Sequence, residues 1–73
     1  MAEDTQIVAE MVANVWKIVA PEGTTLAAGD TVVILESMKM EIPVLTEDGG
    51  TLTEIRVREG DVVQEGDILA VIR

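Results

Sequence analysis

A lysine enclosed by two methionines is the part of this sequence best suited to chemistry, since Met38, Lys39 and Met40 are consecutive. The deprotonated ε-amine of a lysine is a nucleophile that accepts an acyl group, and the resulting amide is stable. Glu36 and Ser37 precede this triplet, and Glu41 follows it. The alternative is a solvated lysine at a turn, with methionines that fill gaps and glutamates that merely screen its charge. The residue types alone leave both interpretations open.

The chain around Lys39 is predicted to form a β-hairpin. Apolar residues fill positions 32–35 and 42–45, on either side of a short polar interruption. This arrangement is typical of two strands joined by a tight turn. The tip of such a hairpin is exposed and is held by its strands, so another enzyme would reach an amine there. We therefore expect Lys39 to lie near an exposed hairpin tip.

The two halves of the chain resemble each other when one is shifted by 37 residues, so that 12–35 aligns with 49–72. Glycine supplies the positive φ of tight turns and aspartate hydrogen-bonds to turn backbone, so their recurrence predicts turns. A three-residue step between apolar positions breaks the period-two alternation in both halves, and it predicts a bulge or bend. The steps run from Val15 to Ile18 and from Leu52 to Ile55, and the structural turns are expected at Gly23, Gly29, Asp30, Gly60, Gly66 and Asp67.

Alternating apolar residues and turn signals predict four short strands in each half and no helix. Two four-strand units, each with one apolar face, would bury those faces against each other. The pattern therefore favours an all-β flattened barrel or sandwich with approximate twofold symmetry. The strands are expected near 6–12, 14–20, 24–27 and 31–36, then near 41–46, 50–57, 61–64 and 68–73. The expected core consists of Val15, Ile18, Ala20, Leu26, Val32, Leu35, Leu52, Ile55, Val57, Val63, Leu69 and Ile72.

Composition narrows the class of protein. The 73 residues suffice for a single domain, 1–73, in which residues 1–5 are expected to be flexible. The chain has no Cys and no His, which removes disulfides, the usual zinc ligands and the commonest general base. A net charge of −9 disfavours binding to nucleic acid or to anionic membranes. No apolar run reaches transmembrane length and no signal peptide is visible, so we expect a cytoplasmic domain.

The segment from Glu36 to Glu41 resembles the biotin attachment motif, whose core is Ala-Met-Lys-Met. From about residue 8 to residue 73, the repeat is also similar to the biotinyl/lipoyl attachment family. The similarity is greatest to its free-standing, single-domain proteins from Gram-positive bacteria, including a small biotinylated protein of actinobacteria. Two departures stand out. Ser37 replaces the usual Ala, and no insertion within 20–35 supplies the thumb loop of some acetyl-CoA carboxylase carriers.

The resemblance implies a flattened β-barrel of two four-stranded antiparallel sheets that acts as a non-catalytic biotin carrier and holds no metal. Lys39 would be the attachment residue for covalent biotin. The carrier would be a monomer, and its partners would be a biotin protein ligase and the biotin carboxylase and carboxyltransferase components, between which biotin carries carboxylate. The flanking residues that the ligase would recognise are Glu36, Ser37, Met38, Met40 and Glu41.

Two other functions remain open on the sequence. A lipoyl carrier shares the fold and the hairpin lysine, although lipoyl domains of this family usually have Asp-Lys-Ala at the tip. An unmodified interaction module would use Trp16, whose repeat partner is Thr53, as an exposed anchor, unless Trp16 merely covers the barrel face. A catalytic or calcium site among the acidic turn residues is disfavoured, because their spacing follows the turns and lacks the Asp-x-Asp-x-Asp-Gly pattern. Those residues are Glu59, Asp61, Glu65 and Asp67.

Overall fold

Eight β-strands make up the fold in the computed structural model, which describes residues 4–73. Every predicted strand is present and no helix occurs among the described residues, so the all-β prediction is confirmed. The first strand is shorter than expected, because the chain leaves its sheet at Ala9, whose N–H donates to the Asp67 carbonyl at 2.8 Å. The strands are β1 Thr5–Val8, β2 Ala13–Ile18, β3 Thr25–Leu26, β4 Thr31–Ser37, β5 Met40–Leu45, β6 Gly50–Ile55, β7 Val62–Val63 and β8 Ile68–Ile72.

The strands form two four-stranded antiparallel sheets, in the orders β1-β8-β6-β3 and β5-β4-β2-β7. Shifting every strand by 37 residues converts the first order into the second, which confirms the approximate twofold symmetry. The expectation that each half forms its own layer is wrong, because each sheet takes two strands from each half. Neither sheet is complete without both halves of the chain, so the halves form one cooperative unit.

The core lies between the two sheets and is aliphatic apart from Thr46, whose hydroxyl donates to the Asp48 carbonyl at 2.6 Å. The predicted core residues that are buried are Val15, Ala20, Leu26, Val32, Leu35, Leu52, Val63, Leu69 and Ile72. Ile18, Ile55 and Val57 are only half-buried, because Ile18 and Ile55 end their strands at the margin of the core. Buried residues outside the prediction are Ile7, Ala9, Ala13, Val33, Ala70 and Val71.

The predicted irregularity is present in both halves as a shift of strand register. It falls between Val15 and Lys17 where β2 pairs with β4, and between Leu52 and Glu54 where β6 pairs with β8. Each shift leaves one residue without a cross-strand partner, as a β-bulge does. The prediction of a bulge or bend in each half is therefore confirmed.

Two glutamates cap the strands just beyond these bulges. The Ile18 N–H donates to Oε2 of Glu59 at 3.0 Å, and the Ile55 N–H donates to Oε2 of Glu22 at 2.8 Å. The two bonds are related by the 37-residue shift, and each half thus caps a strand of the other. Glu59 lies in an exposed turn, as expected, and its carboxylate also accepts a bond from another strand. The capping could have been suspected from the sequence, because Glu22 and Glu59 are identical residues at equivalent positions of the repeat.

The predicted turns follow one rule with one exception. In three of them the aspartate after the glycine accepts a bond at 2.8–2.9 Å from the N–H three residues earlier. The glycines of these turns have φ between 90° and 96°, a region that L side chains rarely adopt. In the fourth turn the first residue is Pro21, which has no N–H, and Thr24 instead donates its hydroxyl to the Pro21 carbonyl at 2.7 Å. The three aspartates are Asp30, Asp61 and Asp67.

Strand β1 lies beside β8, so the first and last described segments pair with each other. Thr5 is opposite Ile72, and the Arg73 guanidinium donates to Asp4 at 2.8 Å. That bond lowers the pKa of Asp4 below its ordinary value and raises the pKa of Arg73. Because both side chains are solvated, the pair contributes little to stability. The predicted flexible stretch 1–5 overlaps β1 at Thr5, and residues 1–3 lie outside the described residues.

The two capping bonds predict a paired loss of stability. Replacing Glu22 or Glu59 by alanine removes the acceptor of a strand-end N–H, and each variant should lower the free energy of unfolding by about 1 kcal/mol. Glu65→Ala is the matched control, because Glu65 also precedes a turn glycine but caps no strand, and it should change stability by less than about 0.5 kcal/mol. Urea denaturation followed by circular dichroism measures all three. Equal stabilities for the three variants would contradict a capping function.

Candidate functional site

The Lys39 hairpin is the one place in the described chain where consecutive strands pair within a single sheet. Strand β4 ends at Ser37 and β5 begins at Met40, and these two residues are opposite each other. Met38 and Lys39 therefore form a two-residue turn. Their φ angles of 53° and 64° are those of a type I′ turn, whose twist matches that of the flanking strands. The prediction that Lys39 lies at a hairpin tip is confirmed.

The residue types at this tip oppose the backbone conformation. The other residues with positive φ in residues 4–73 are all glycines, whereas the tip has Met38 and Lys39. An L-residue in the left-handed region costs about 1–2 kcal/mol, and type I′ turns strongly favour Asn-Gly for that reason. Strain of this kind is typical of functional positions, where a side chain is needed for something other than the fold. The fold therefore gains nothing from the two side chains at its sharpest turn.

The methionines beside Lys39 face solvent. Met38 is 90% exposed and Met40 is 62% exposed, and Lys39 between them is also exposed. The interpretation of these methionines as core gap-fillers is wrong, because neither packs into the core. Methionine is flexible and polarisable, so an exposed pair of them suits a surface that adapts to a partner.

The strand pair next to the hairpin tip carries two like charges. Glu36 and Glu41 are directly opposite each other across β4 and β5, an arrangement that destabilises a sheet. The 37-residue shift maps Glu36 onto Arg73 and Glu41 onto Asp4, which are joined by an ion pair at 2.8 Å. The fold thus accommodates opposite charges at this position. With Glu36 and Glu41 in place of an ion pair, the hairpin is locally negative next to its tip.

The predicted turn residues support the hairpin from a distance and do not belong to it. The Gly29 N–H donates to the Thr46 carbonyl at 2.7 Å, and the Thr46 N–H donates to the Asp30 carbonyl at 2.9 Å. This turn therefore holds the chain just beyond β5, at the far end of the hairpin from Lys39. Gly66 and Asp67 make the equivalent bonds to Ala9 in the other half, and Gly60 bonds to Val15. Gly23 bonds in the same way to Leu52.

Residues 4–73 contain no group of three or more acidic side chains placed to hold a metal ion. Nor does the described part of the chain contain a helix long and apolar enough to cross a membrane.

The sequence matches the family described as "Biotin-requiring enzyme" over residues 5–72. It is 51% identical over 72 residues to the "Biotinylated protein TB7.3 homolog" of Mycobacterium leprae, with 99% of each chain covered. It is 45% identical over 60 residues to the "Biotin/lipoyl attachment protein" of Bacillus subtilis, with 82% of each chain covered. Both relatives are thus similar to this chain over most of their own length.

The chain is also similar to small parts of much larger proteins. It is 40% identical over 67 residues to the "Biotin-dependent acyl-coenzyme A carboxylase alpha3 subunit" of Mycobacterium leprae, covering 92% of this chain and 11% of that protein. The crystal structure of the urea carboxylase of Kluyveromyces lactis superposes with a TM-score of 0.93 and 36% identity, covering all of this chain and 6% of the carboxylase. Similar sequences therefore occur both in proteins of about this length and as small parts of much longer chains.

The strain at the tip predicts that replacing its two residues by ones that favour the left-handed conformation will stabilise the protein. Met38→Asn combined with Lys39→Gly installs the residues that a type I′ turn prefers, and should raise the free energy of unfolding by about 1–2 kcal/mol. Lys39→Arg is the control, because arginine keeps a Cβ in the same left-handed conformation and should leave stability nearly unchanged. Chemical denaturation measures both variants. A double variant no more stable than the parent would show that the tip carries no strain.

Proposed function

The chain belongs to the biotin-requiring enzyme family, and from that membership we propose that Lys39 is the residue to which biotin is covalently attached. The chain is a biotin carrier without a catalytic site of its own, as its relatives named for attachment and biotinylation indicate. One observation carries the assignment to Lys39: an exposed amine occupies a left-handed turn that favours glycine. The one other lysine, Lys17, lies within strand β2.

The attachment reaction requires only one reactive group from this chain, the amine of Lys39. The deprotonated Nζ of Lys39 attacks the carbonyl carbon of a biotinyl-adenylate held by the ligase, forming an amide bond while the bond to AMP breaks and a proton is lost. The rigid hairpin keeps this amine clear of the barrel, where the ligase reaches it. Lys39 loses its positive charge in the product, so the carrier becomes more negative by one unit.

The carrier then contributes by positioning the attached biotin at the active sites of its partners. When attached, biotin supplies a ureido nitrogen that takes up and releases carboxylate. The hairpin holds the attachment point on a stiff base, while the lysine side chain provides a flexible arm that raises the effective concentration of the group near successive active sites. Related domains belong to biotin-dependent carboxylases, which supports carboxylase components as partners. We assign these partners as a biotin carboxylase and a carboxyltransferase, served by a monomeric carrier in the cytoplasm.

The residues that flank Lys39 are assigned to ligase recognition. The exposure of Met38 and Met40 supports this assignment, since both side chains are available to a partner without any change of the fold. Glu36 and Glu41 add negative charge next to the hairpin tip, and Ser37 lies half-buried opposite Met40. The serine stands where most biotinyl domains have alanine.

The comparisons favour biotin over the alternatives. A lipoyl carrier would share the barrel and the hairpin, but the relatives covering the whole chain include proteins named as biotinylated. An unmodified interaction module would leave the strained lysine at the tip without a purpose. The biotin carrier accounts for both the family and the tip.

Intact mass measurement tests the attachment directly. Co-expression with a biotin ligase in biotin-rich medium should add the mass of one biotin less one water to the wild-type chain. Lys39→Arg should abolish the gain, whereas Lys17→Arg should retain it. A mass gain that survives in Lys39→Arg would refute the assigned residue, and an added lipoyl group would refute biotin.

The flanking methionines predict a selective kinetic defect. Met38→Ala or Met40→Ala should lower kcat/KM for biotinylation about tenfold, because each removes an exposed side chain next to the reacting amine. Met11→Ala is the control, since Met11 is also exposed, at 38%, but lies between β1 and β2. Steady-state incorporation of labelled biotin into purified unmodified chain gives these values. Equal defects in all three variants would remove the methionines from the recognition surface.

A further inference from the structure

The outer face of the sheet that carries the hairpin exposes several apolar residues, with the exposed Lys17 of β2 among them, opposite Ile34. Ile34 and Pro43 are opposite each other across β4 and β5, and Val62 is opposite Asn14 on β2. Side chains alternate between the two faces of a strand, so these residues face away from the buried Val15 and Leu35. Trp16 stands in the bulge of β2 on the same face, with 47% of its surface exposed, and Val62 is 66% exposed. We call the set of Trp16, Ile34, Pro43 and Val62 the outer patch.

The other sheet provides an internal control for this patch. The 37-residue shift relates the two sheets strand by strand, so each outer-patch residue has a counterpart in the same structural position. Three of the four counterparts are polar, so the fold itself does not require apolar residues at these places. The counterparts of Trp16, Ile34, Pro43 and Val62 are Thr53, Val71, Gln6 and Thr25 respectively.

Charge differs between the two faces in the same way. The ion pairs of residues 4–73 join Arg56 to Glu54 and Arg73 to Asp4, and they leave Glu36 and Glu41 uncompensated. Glu36 is opposite both Asn14 and Glu41, so the acidic pair lies in the same row as Val62, next to the row of Ile34 and Pro43. The corresponding row of the other sheet ends in the neutral Arg73–Asp4 pair. One face therefore combines exposed apolar residues and Lys17 with an acidic border, whereas its counterpart is more polar and carries two ion pairs.

We infer that the outer patch, with Glu36 and Glu41 at its border, is the surface on which the biotin protein ligase docks while Lys39 enters the active site; this rests on the proposed function. The occupant must present an apolar depression for Trp16 and basic side chains opposite the two glutamates. An aromatic anchor at the centre of a patch, bordered by charges, is the usual arrangement of residues that dominate binding.

Charge complementarity favours the ligase as this occupant. A ligase holds an acyl-adenylate, whose phosphate requires cationic or N–H donor groups near the mouth of the active site. Those groups would meet Glu36 and Glu41 as the hairpin enters. At about 3.3 Å per residue, Ile34 lies roughly 10 Å along β4 from Ser37. The outer patch is therefore close enough to the hairpin for one partner to contact both, since each partner contributes roughly 800 Å² to an ordinary interface.

Ligase kinetics with the unmodified chain test the inference. Trp16→Thr installs the residue that the equivalent bulge of the other sheet already carries, and it should raise KM at least about tenfold. Because Lys39 and its turn are unchanged, kcat should stay within about twofold of wild type. Val62→Thr, a near-isosteric change at an exposed position, should raise KM in the same direction by a smaller factor. The matched control is Thr25→Val, the reverse exchange on the other sheet, which should leave KM unchanged.

The outcomes separate this inference from the proposed function. A KM within twofold of wild type for both Trp16→Thr and Val62→Thr would overturn the docking surface. If Trp16→Thr does not fold, as judged by its circular dichroism, Val62→Thr alone decides. Unchanged ligase kinetics with slower carboxylation by the carboxylase components would also overturn the inference, because the patch would then serve the carboxylase. Wild-type chain that gains no biotin on Lys39 would refute the proposed function instead.

Discussion

The left-handed backbone at Met38 and Lys39 is the constraint on which the functional arrangement depends. A two-residue turn with this geometry is stable only if the strands on either side impose it, because neither side chain favours the conformation. The strands do so through pairing that continues from Ser37 opposite Met40 to Thr31 opposite Leu45. Their inner side chains anchor them to the core, since Val33 and Leu35 are almost completely buried. The exposed amine is therefore held in place by the whole barrel.

The symmetry of the barrel explains how so short a chain supports that hairpin. Both sheets draw strands from both halves, and the glutamate caps cross from one half to the other. Neither half can unfold without removing strands and caps from its counterpart, so the contacts of both halves stabilise each sheet. The symmetry is broken where the two sheets differ in their surface residues. The tip, the acidic pair and the outer patch belong to one sheet, and their counterparts are ordinary.

Sequence periodicity was sufficient to predict the strands, the bulges and the hairpin, because each of these depends on local spacing and local turn chemistry. Apart from the hairpin, it did not predict which strands are neighbours, since an alternating pattern identifies the buried face of a strand but not its partner. Val33 was missed in the core because the register shift near the start of β4 turns both Val32 and Val33 inward. The capping bond of Glu59 was not predicted, because its bonding partner, Ile18, is 41 residues away in sequence. The strain at Lys39 is a property of backbone angles, which residue types alone do not reveal.

The pairing of β1 with β8 has a consequence for how the barrel is joined to other polypeptides. Residues opposite each other in antiparallel strands are only about 5 Å apart. The chain therefore enters the barrel at Thr5 and leaves it at Ile72 at nearly the same place. Because these two ends are so close, the barrel is suited to insertion into a surface loop of another protein without distortion of the loop or of the barrel. The pair of strands β1 and β8 is the symmetry counterpart of the lysine hairpin, since the 37-residue shift relates it to the pair of β5 and β4. The same type of strand pair thus brings the two ends of the barrel together in one sheet and carries Lys39 in the other.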